Sequence, residues 1–220
     1  QYWRQWADHL GVDDERGLAR FEEVGCAIMK TPLNGHMASI CANLDALGIA
    51  WEDWDNETLS KRLPIYDLHS YAPAKLPDDP GFGEATGPSM HGAIFTPQAG
   101  YISDPQLATH NVQVAAEAAG GKFRFNCDVI AIRQMNGRAC GITLANGDEI
   151  DAAVVVNVAG PHSSKVNELA GVAESMTIKT RALRQEVVHL PSPDGFDYMT
   201  HGPVTSDSDI SCYSRPEVGN

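Results

Sequence analysis

The spacing of apolar positions changes several times along the chain. Tyr2, Trp3, Trp6 and Leu10 fall near helical spacing and stop at Gly11, which predicts an amphipathic helix over residues 1–10. Asp13 can cap a short turn that ends near Ala19. Residues 21–30 alternate loosely, with Val24, Cys26 and Ile28 on one side, and read as a strand. After Asn34, the residues Ile40, Leu44 and Leu47 share one helical face, and Gly48 supplies a stop. Residues 49–54 read as a short strand, and Asp55 caps a helix that Pro64 must end. Periodicity then disappears. Residues 64–90 carry Pro64, Pro73, Pro77, Pro80 and Pro88 with Gly81, Gly83 and Gly87. Such a long irregular segment is either functional or a plain surface excursion.

From Gly92 the pattern sharpens. Residues 92–97 form a strand and 98–100 a turn. Asp104 caps a helix with Pro105 at its first position, and the alanine-rich helix runs to Ala119, stopped by Gly120-Gly121. Residues 122–134 hold two extended pieces. Asn136-Gly137 is a hairpin turn returning through 139–144, and Asn146-Gly147 turns the chain again into 149–150. The run Ala152-Ala-Val-Val-Val156 has no alternation, so residues 151–158 predict a strand buried on both faces, as in a parallel sheet. Gly160-Pro161 opens a helix to about Leu169. Residues 177–190 and 209–215 read as antiparallel strands of a second layer, on either side of Pro191-Ser-Pro193-Asp-Gly195. The expected fold class is α/β, mixed with α+β.

Composition narrows the function classes. The chain has 220 residues, 43% hydrophobic and 20% charged, which suits one or two globular domains rather than disorder. Its net charge of −13 disfavours nucleic acid and anionic lipid as partners. The longest apolar run is far too short to cross a bilayer, and Gln1-Tyr2-Trp3-Arg4 begins no signal peptide. Five cysteines at irregular spacing, with no CxxC pair, point to reduced thiols and a cytoplasmic protein. Eight histidines without an HExxH pattern make a structural metal improbable.

Three pieces occur in order: Gly92-Ala-Ile-Phe-Thr-Pro-Gln-Ala-Gly-Tyr-Ile-Ser-Asp-Pro105 before an alanine-rich helix; Asn126-Cys-Asp-Val-Ile-Ala-Ile132 before a hairpin with Gly141-Ile-Thr-Leu-Ala-Asn-Gly147; and Val154-Val-Val-Asn-Val-Ala-Gly-Pro-His-Ser163. Together they resemble the FAD-dependent oxidoreductases of the D-amino-acid oxidase superfamily, which includes glycine, sarcosine and dimethylglycine oxidases and dehydrogenases. The tail Cys212-Tyr-Ser-Arg-Pro-Glu-Val-Gly219 is similar to a late strand of that family. The resemblance is good over 92–220 and diffuse over 1–91. Two features depart from it. No GxGxxG loop follows a first strand, and the chain stops at Asn220, short of the segment that returns to the flavin. The expectation is an internal fragment of a longer chain.

The resemblance implies a partial FAD-binding α/β domain plus an antiparallel-sheet substrate domain with helices. Residues 1–91 would be the helical and strand part of the substrate domain, 92–170 the partial FAD-binding domain and 171–220 substrate-domain antiparallel strands. Ala159 and Gly160 lie at a strand-to-helix turn, where close backbone approach and free N–H groups suit a pyrophosphate, or where an ordinary turn stands. Val129 would meet adenine through its backbone, and His162 and Ser163 would face phosphates or simply cap the helix. Asp104 reads as a cap in either case. Arg215, Arg181 and Arg184 are candidate carboxylate clamps, with Tyr213 assisting, against the alternative of surface ion pairs. His69 and His91 are candidate rim residues.

The implied activity is oxidation of a C–N bond in an amino acid or N-methylated amine by hydride transfer to FAD. Oxidation of a CH–OH group in a 2-hydroxy acid or glycerol phosphate is the enzymatic alternative. A non-catalytic fragment or binding module, holding no flavin, is the alternative from another class. Cut sheet edges would favour a homo-oligomer.

Overall fold

The computed structural model describes residues 2–34 and 36–217. A 3-10 turn at Tyr2–Gln5 leads into α1 (Trp6–Leu10), followed by β1 (Phe21–Glu22), β2 (Cys26–Met29), α2 (Met37–Ala46), β3 (Glu52–Trp54) and α3 (Asn56–Arg62). Next come β4 (His69–Ser70), β5 (Gly87–Ser89), β6 (Ala93–Thr96), β7 (Tyr101–Ile102) and α4 (Pro105–Ala118). The chain continues through β8 (Val129–Met135), β9 (Arg138–Leu144), β10 (Glu149–Asp151) and α5 (Ser163–Leu169). It ends with α6 (Tyr198–His201), β11 (Val204–Asp207) and β12 (Cys212–Ser214). These elements form two compact units, one of residues 1–120 with 189–220 and one of residues 121–188.

The first unit is built on a five-stranded sheet in the order β12-β11-β2-β6-β3. All its neighbours are antiparallel except β11 and β2, which pair in parallel with Val204 opposite Cys26. The core lies on one face of this sheet. Ala27 and Met29 of β2 are fully buried and face the core, whereas Cys26 and Ile28, on the other side of the strand, are half-buried. Trp54, Leu59, Leu63 and Met90 pack against them, and Trp54 stacks on Phe95 at 4.2 Å between centroids. Gly25, at φ 78°, breaks the expected strand over 21–30 into β1 and β2. Gly92 is required where β6 begins. Its φ is 93°, and an added Cβ would lie 1.9 Å from the Trp54 carbonyl oxygen.

Helix boundaries follow the capping signals. The Asp55 carboxylate accepts from the Thr58 N–H at 2.8 Å, and Asp104 accepts from Gln106 and Leu107 N–H groups at 2.9 Å. Asn111 on α4 is fully buried and uses both ends of its amide. Its Oδ1 accepts from Trp6 Nε1 at 3.2 Å and Ala19 N at 3.0 Å. Its Nδ2 donates to Asp14 Oδ2 at 2.7 Å and to the Gly17 carbonyl at 2.9 Å. His110 reaches the same Asp14 oxygen at 2.7 Å.

The second unit is a three-stranded meander, β10-β9-β8, with α5 packed on β8. Asn136 and Gly137 both have positive φ, 52° and 75°, as the hairpin signal requires. Here two strand expectations are corrected. Residues 152–158 form no strand, and Val154, Val156 and Val158 are 73%, 72% and 85% exposed. The β-branched run states a preference for burial, but the meander ends at β10 and pairs no strand with it. Residues 177–188 likewise form no strand, with Ile178, Leu183, Val187 and Val188 exposed. Of the late antiparallel strands expected, β12 is present, and β11 appears in a polar stretch that carried no strand signal. Val218 and Gly219, the end of the expected late strand, lie outside the described residues.

Replacing Asn111 by Ala strands two donors and two acceptors beside a buried site, and should cost about 3 kcal/mol in urea unfolding. The Asp14 carboxyl is held below the usual carboxylate range, first by the Arg16 backbone N–H and then by His110 and Asn111. A depressed folded-state pKa contributes stability that is full above the unfolded value, about 3.9, and is lost as pH falls through the folded value. The stability of Asp14→Asn should therefore depend less steeply on pH below about 4 than that of the unaltered chain.

Candidate functional site

The predicted site residues fall on both units. In the second unit, Val129 opens β8 opposite Leu144, with a register shift between Val129 and Ala131. The turn after residue 158 is organised by a residue that sequence reasoning passed over. Asn157 Oδ1 accepts from the Ala159 N–H at 3.1 Å, while its Nδ2 donates to the Ser163 carbonyl at 2.9 Å and to Asn167 Oδ1 at 2.8 Å. This one amide staples the turn to the first turn of α5. An Asn at the end of an apolar run, six residues before a Ser and ten before another Asn, was the available signal. Gly160 has φ 54° with open space above its α-carbon, and Ala159, Gly160 and His162 are exposed. Ser163 is half-buried and gives its N–H to the Gly160 carbonyl. Arg181 is exposed on the irregular 177–188 segment. Arg184 is exposed too, and pairs with Glu186 at 3.0 Å.

In the first unit, Arg215 is the better-built candidate. Its guanidinium lies 4.9 Å from the Tyr101 ring centroid and bonds Glu217 at 2.7 Å. It lines a groove of about 390 Å³ with Trp3, Ile102, Pro105, Ala108, Thr109 and Val112. Burial, with Glu22 and Glu217 nearby, pushes the Tyr101 hydroxyl up. Tyr213 stands in the edge strand β12 opposite Ser206 and is 65% exposed. Tyr213 stands two residues from Arg215 but does not line that groove, and Arg181 belongs to the other unit. His91 is exposed, and its backbone N–H points to the Lys30 carbonyl. His69 bonds the Asp67 carboxylate at 2.6 Å. Asp67 is lowered to about 2, chiefly by the Tyr71 hydroxyl and then by the His69 backbone and ring. Asp104 acts as a helix cap, as its position implied.

The family model described as DAO, FAD dependent oxidoreductase, matches residues 22–220. The chain belongs to this family, a family of enzymes. No curated protein sequence matches it. Among solved structures it is similar to glycine oxidase from Geobacillus kaustophilus, with TM-score 0.57 and 16% identity over 99% of this chain and 49% of that one. It is similar to iminodiacetate oxidase (IdaA) from Chelativorans sp. BNC1, with TM-score 0.57 and 19% identity over 100% and 55%. L-proline dehydrogenase from P. horikoshii gives TM-score 0.53 and 18% identity over 77% and 38%. Likeness at this level of identity shows a shared fold. The chain spans 38–55% of the length of these three relatives.

The family implies FAD, and the second unit can be tested for it. Open space at Gly160 suits close backbone approach to a ligand. Enclosure is missing. The cavity beside Ser164, Glu168, Met176 and Lys179 holds about 60 Å³, well under the roughly 300 Å³ at which ligand pockets begin. The 3-10 turn at Gly160–His162 and the seven-residue α5 are both short. The described residues of this unit do not by themselves fit a dinucleotide.

Proposed function

We propose that this chain is part of an FAD-dependent oxidoreductase that oxidises a C–N bond of an amino acid or N-methylated amine, with FAD as the hydride acceptor. The observation that carries the reading is the family match over residues 22–220. Three solved relatives named for glycine, iminodiacetate and L-proline as substrates support the amine class over a CH–OH substrate. In this reading residues 92–170 serve the cofactor side, and residues 1–91 and 171–220 the substrate side. Val129 meets the adenine end through its backbone, and Ala159, Gly160, His162 and Ser163 lie toward the phosphates.

Arg215 takes the substrate carboxylate, with Tyr213 and Arg181 as secondary candidates. The groove beside Arg215, about 390 Å³ and open to solvent, is lined mainly by apolar side chains. A guanidinium has five N–H donors, so a bond to Glu217 leaves others for a carboxylate. Five free cysteines support a reducing compartment, and we place the protein in the cytoplasm. No described helix is long and apolar enough to cross a membrane. The exposed edge strand β12 and the exposed valines of 154–158 support self-association.

The first test is spectroscopic. The 220-residue chain should lose added FAD on gel filtration, because its second unit encloses only about 60 Å³ beside α5, and a pyrophosphate left without charge-assisted hydrogen bonds worth on the order of 5 kcal/mol binds roughly 10³- to 10⁴-fold more weakly. The full-length gene product should retain it and be bleached anaerobically by glycine, sarcosine, proline or iminodiacetate. A full-length protein without flavin, or one bleached only by 2-hydroxy acids, would refute the reading. The second test is Arg215→Lys in the full-length protein. Charge survives but the fork does not, so kcat/KM should fall about 10- to 100-fold with flavin content unchanged. Unchanged kinetics would return Arg215 to a structural ion pair.

A further inference from the structure

Residues 69–89 form a hairpin excursion whose two ends are rooted in the core at Leu63 and Met90, both buried. Strands β4 and β5 pair at its base, with His69 opposite Ser89. Thr86 closes the base further: its N–H donates to the Ser70 carbonyl at 2.8 Å and its hydroxyl to the Ala72 carbonyl at 2.6 Å. The tip holds itself. Leu76 N–H donates to Asp79 Oδ2 at 2.8 Å, and Lys75 Nζ to the Gly81 carbonyl at 3.1 Å. From Asp78 through Ser89 every residue except Gly81 is exposed, Phe82 among them. The tip contributes nothing to the core.

Among the described residues, the hydrogen bonds that tie this hairpin to elements outside 66–90 end on one side chain. Asp209, in the turn between β11 and β12, accepts from the backbone N–H groups of Tyr71 and Ala72 through Oδ2. Asp209 is 1% exposed, and its Oδ1 has no hydrogen-bond partner among the described residues. Its neighbour Asp207 holds the root instead, accepting from the Tyr66 hydroxyl at 2.5 Å and from the Asp209 N–H at 2.8 Å. The closed arrangement therefore keeps a carboxylate buried with half its acceptor capacity unused. Opening would return that oxygen to water, which offsets the two N–H bonds lost.

We propose that residues 69–89 are a flap that opens as a unit, and that Asp209 is its latch. The root, pinned by Tyr66 on Asp207 and by Met90 in the core, stays in place while the ribbon swings. This local opening needs no disruption of the β2–β6 ladder, because no hydrogen bond of the described flap residues ends there.

Native-state amide hydrogen exchange of the full chain tests the proposal. In the unaltered chain, the Tyr71, Ala72 and Thr86 amides should exchange together, and at least about tenfold faster than β2 and β6 amides. Asp209→Ala should accelerate those three amides by a further tenfold or so and leave β2 and β6 unchanged, since two hydrogen bonds are lost locally. Asp209→Asn keeps one carbonyl acceptor for the two N–H groups and should restore most of the protection. Trypsin should cut at Lys75 faster in Asp209→Ala than in the unaltered chain. Flap and sheet amides exchanging at one rate in the unaltered chain would overturn the proposal. So would a parallel loss of protection in β2 and β6 in Asp209→Ala, because Asp209 would then support the whole unit. If Asp209→Ala does not fold, the unaltered chain and Asp209→Asn decide the question.

Discussion

One buried amide organises the N-terminal part of the first unit. Asn111 is fully enclosed, and its four hydrogen bonds reach the Trp6 indole, the Ala19 and Gly17 backbone and the Asp14 carboxylate. Residues 11–20 contain no helix or strand of their own, so their backbone groups need partners from elsewhere. Asn111 supplies two of them, for the Ala19 N–H and the Gly17 carbonyl, and Ser103, just before α4, takes the Arg20 N–H and gives its own to the Arg20 carbonyl. A buried polar network that is fully satisfied specifies one arrangement, since any slip of residues 11–20 strands several groups at once. Trp6 adds apolar area to the same junction through its contact with Trp3, at 4.4 Å between ring centroids.

Local signals in the sequence were reliable because their physics is local. Asp55 and Asp104 cap helices through their own next turns, and Asn136-Gly137 bends the hairpin through its own φ angles. Non-local requirements were not legible. The valines of 154–158 advertise a strand buried on both faces, but a strand also needs neighbours for its N–H and C=O groups, and none of β8, β9 and β10 extends to them. The reverse error concerns Val-Thr-Ser-Asp at 204–207. It has no apolar alternation, yet it pairs with β2, and Thr205 is buried because its hydroxyl meets Ser214 Oγ at 2.5 Å. Hydroxyl pairing lets a polar strand enter a core, and period-based reading has no term for it.

The same distinction runs through the site. Gly160 and Ser163 were legible as the opening of a helix because glycine-proline followed by serine is a local grammar, whereas the strand expected before that turn is absent. Asn157, which holds that turn together, was not, because its partners lie six and ten residues ahead. Asp209 was hidden for a stronger reason. Its partners are the backbone amides of Tyr71 and Ala72, more than 130 positions away, and a backbone donor leaves no trace in side-chain identity. Arg215 stood out as a guanidinium in an acidic chain. Its partner Glu217 sits two residues on and could have been weighed from the sequence as well.

That partner sharpens what Arg215 can do. Glu217 lowers the net field of the guanidinium, so long-range attraction for an anion is weak in a chain of charge −13. The same bond, with the Tyr101 ring against the guanidinium, holds the fork in one plane. A carboxylate reaching this group would gain less from charge than at an isolated arginine. It would lose less to ordering, because the Glu217 bond and the Tyr101 ring already restrict the side chain. Recognition at such a site depends on bidentate fit and on the apolar wall of Ile102, Ala108 and Val112 rather than on net attraction. In the role proposed for Arg215, this lining would suit a small, partly apolar carboxylate better than a highly charged ligand. An anion with several charges would meet one shared guanidinium and the Glu217 carboxylate beside it.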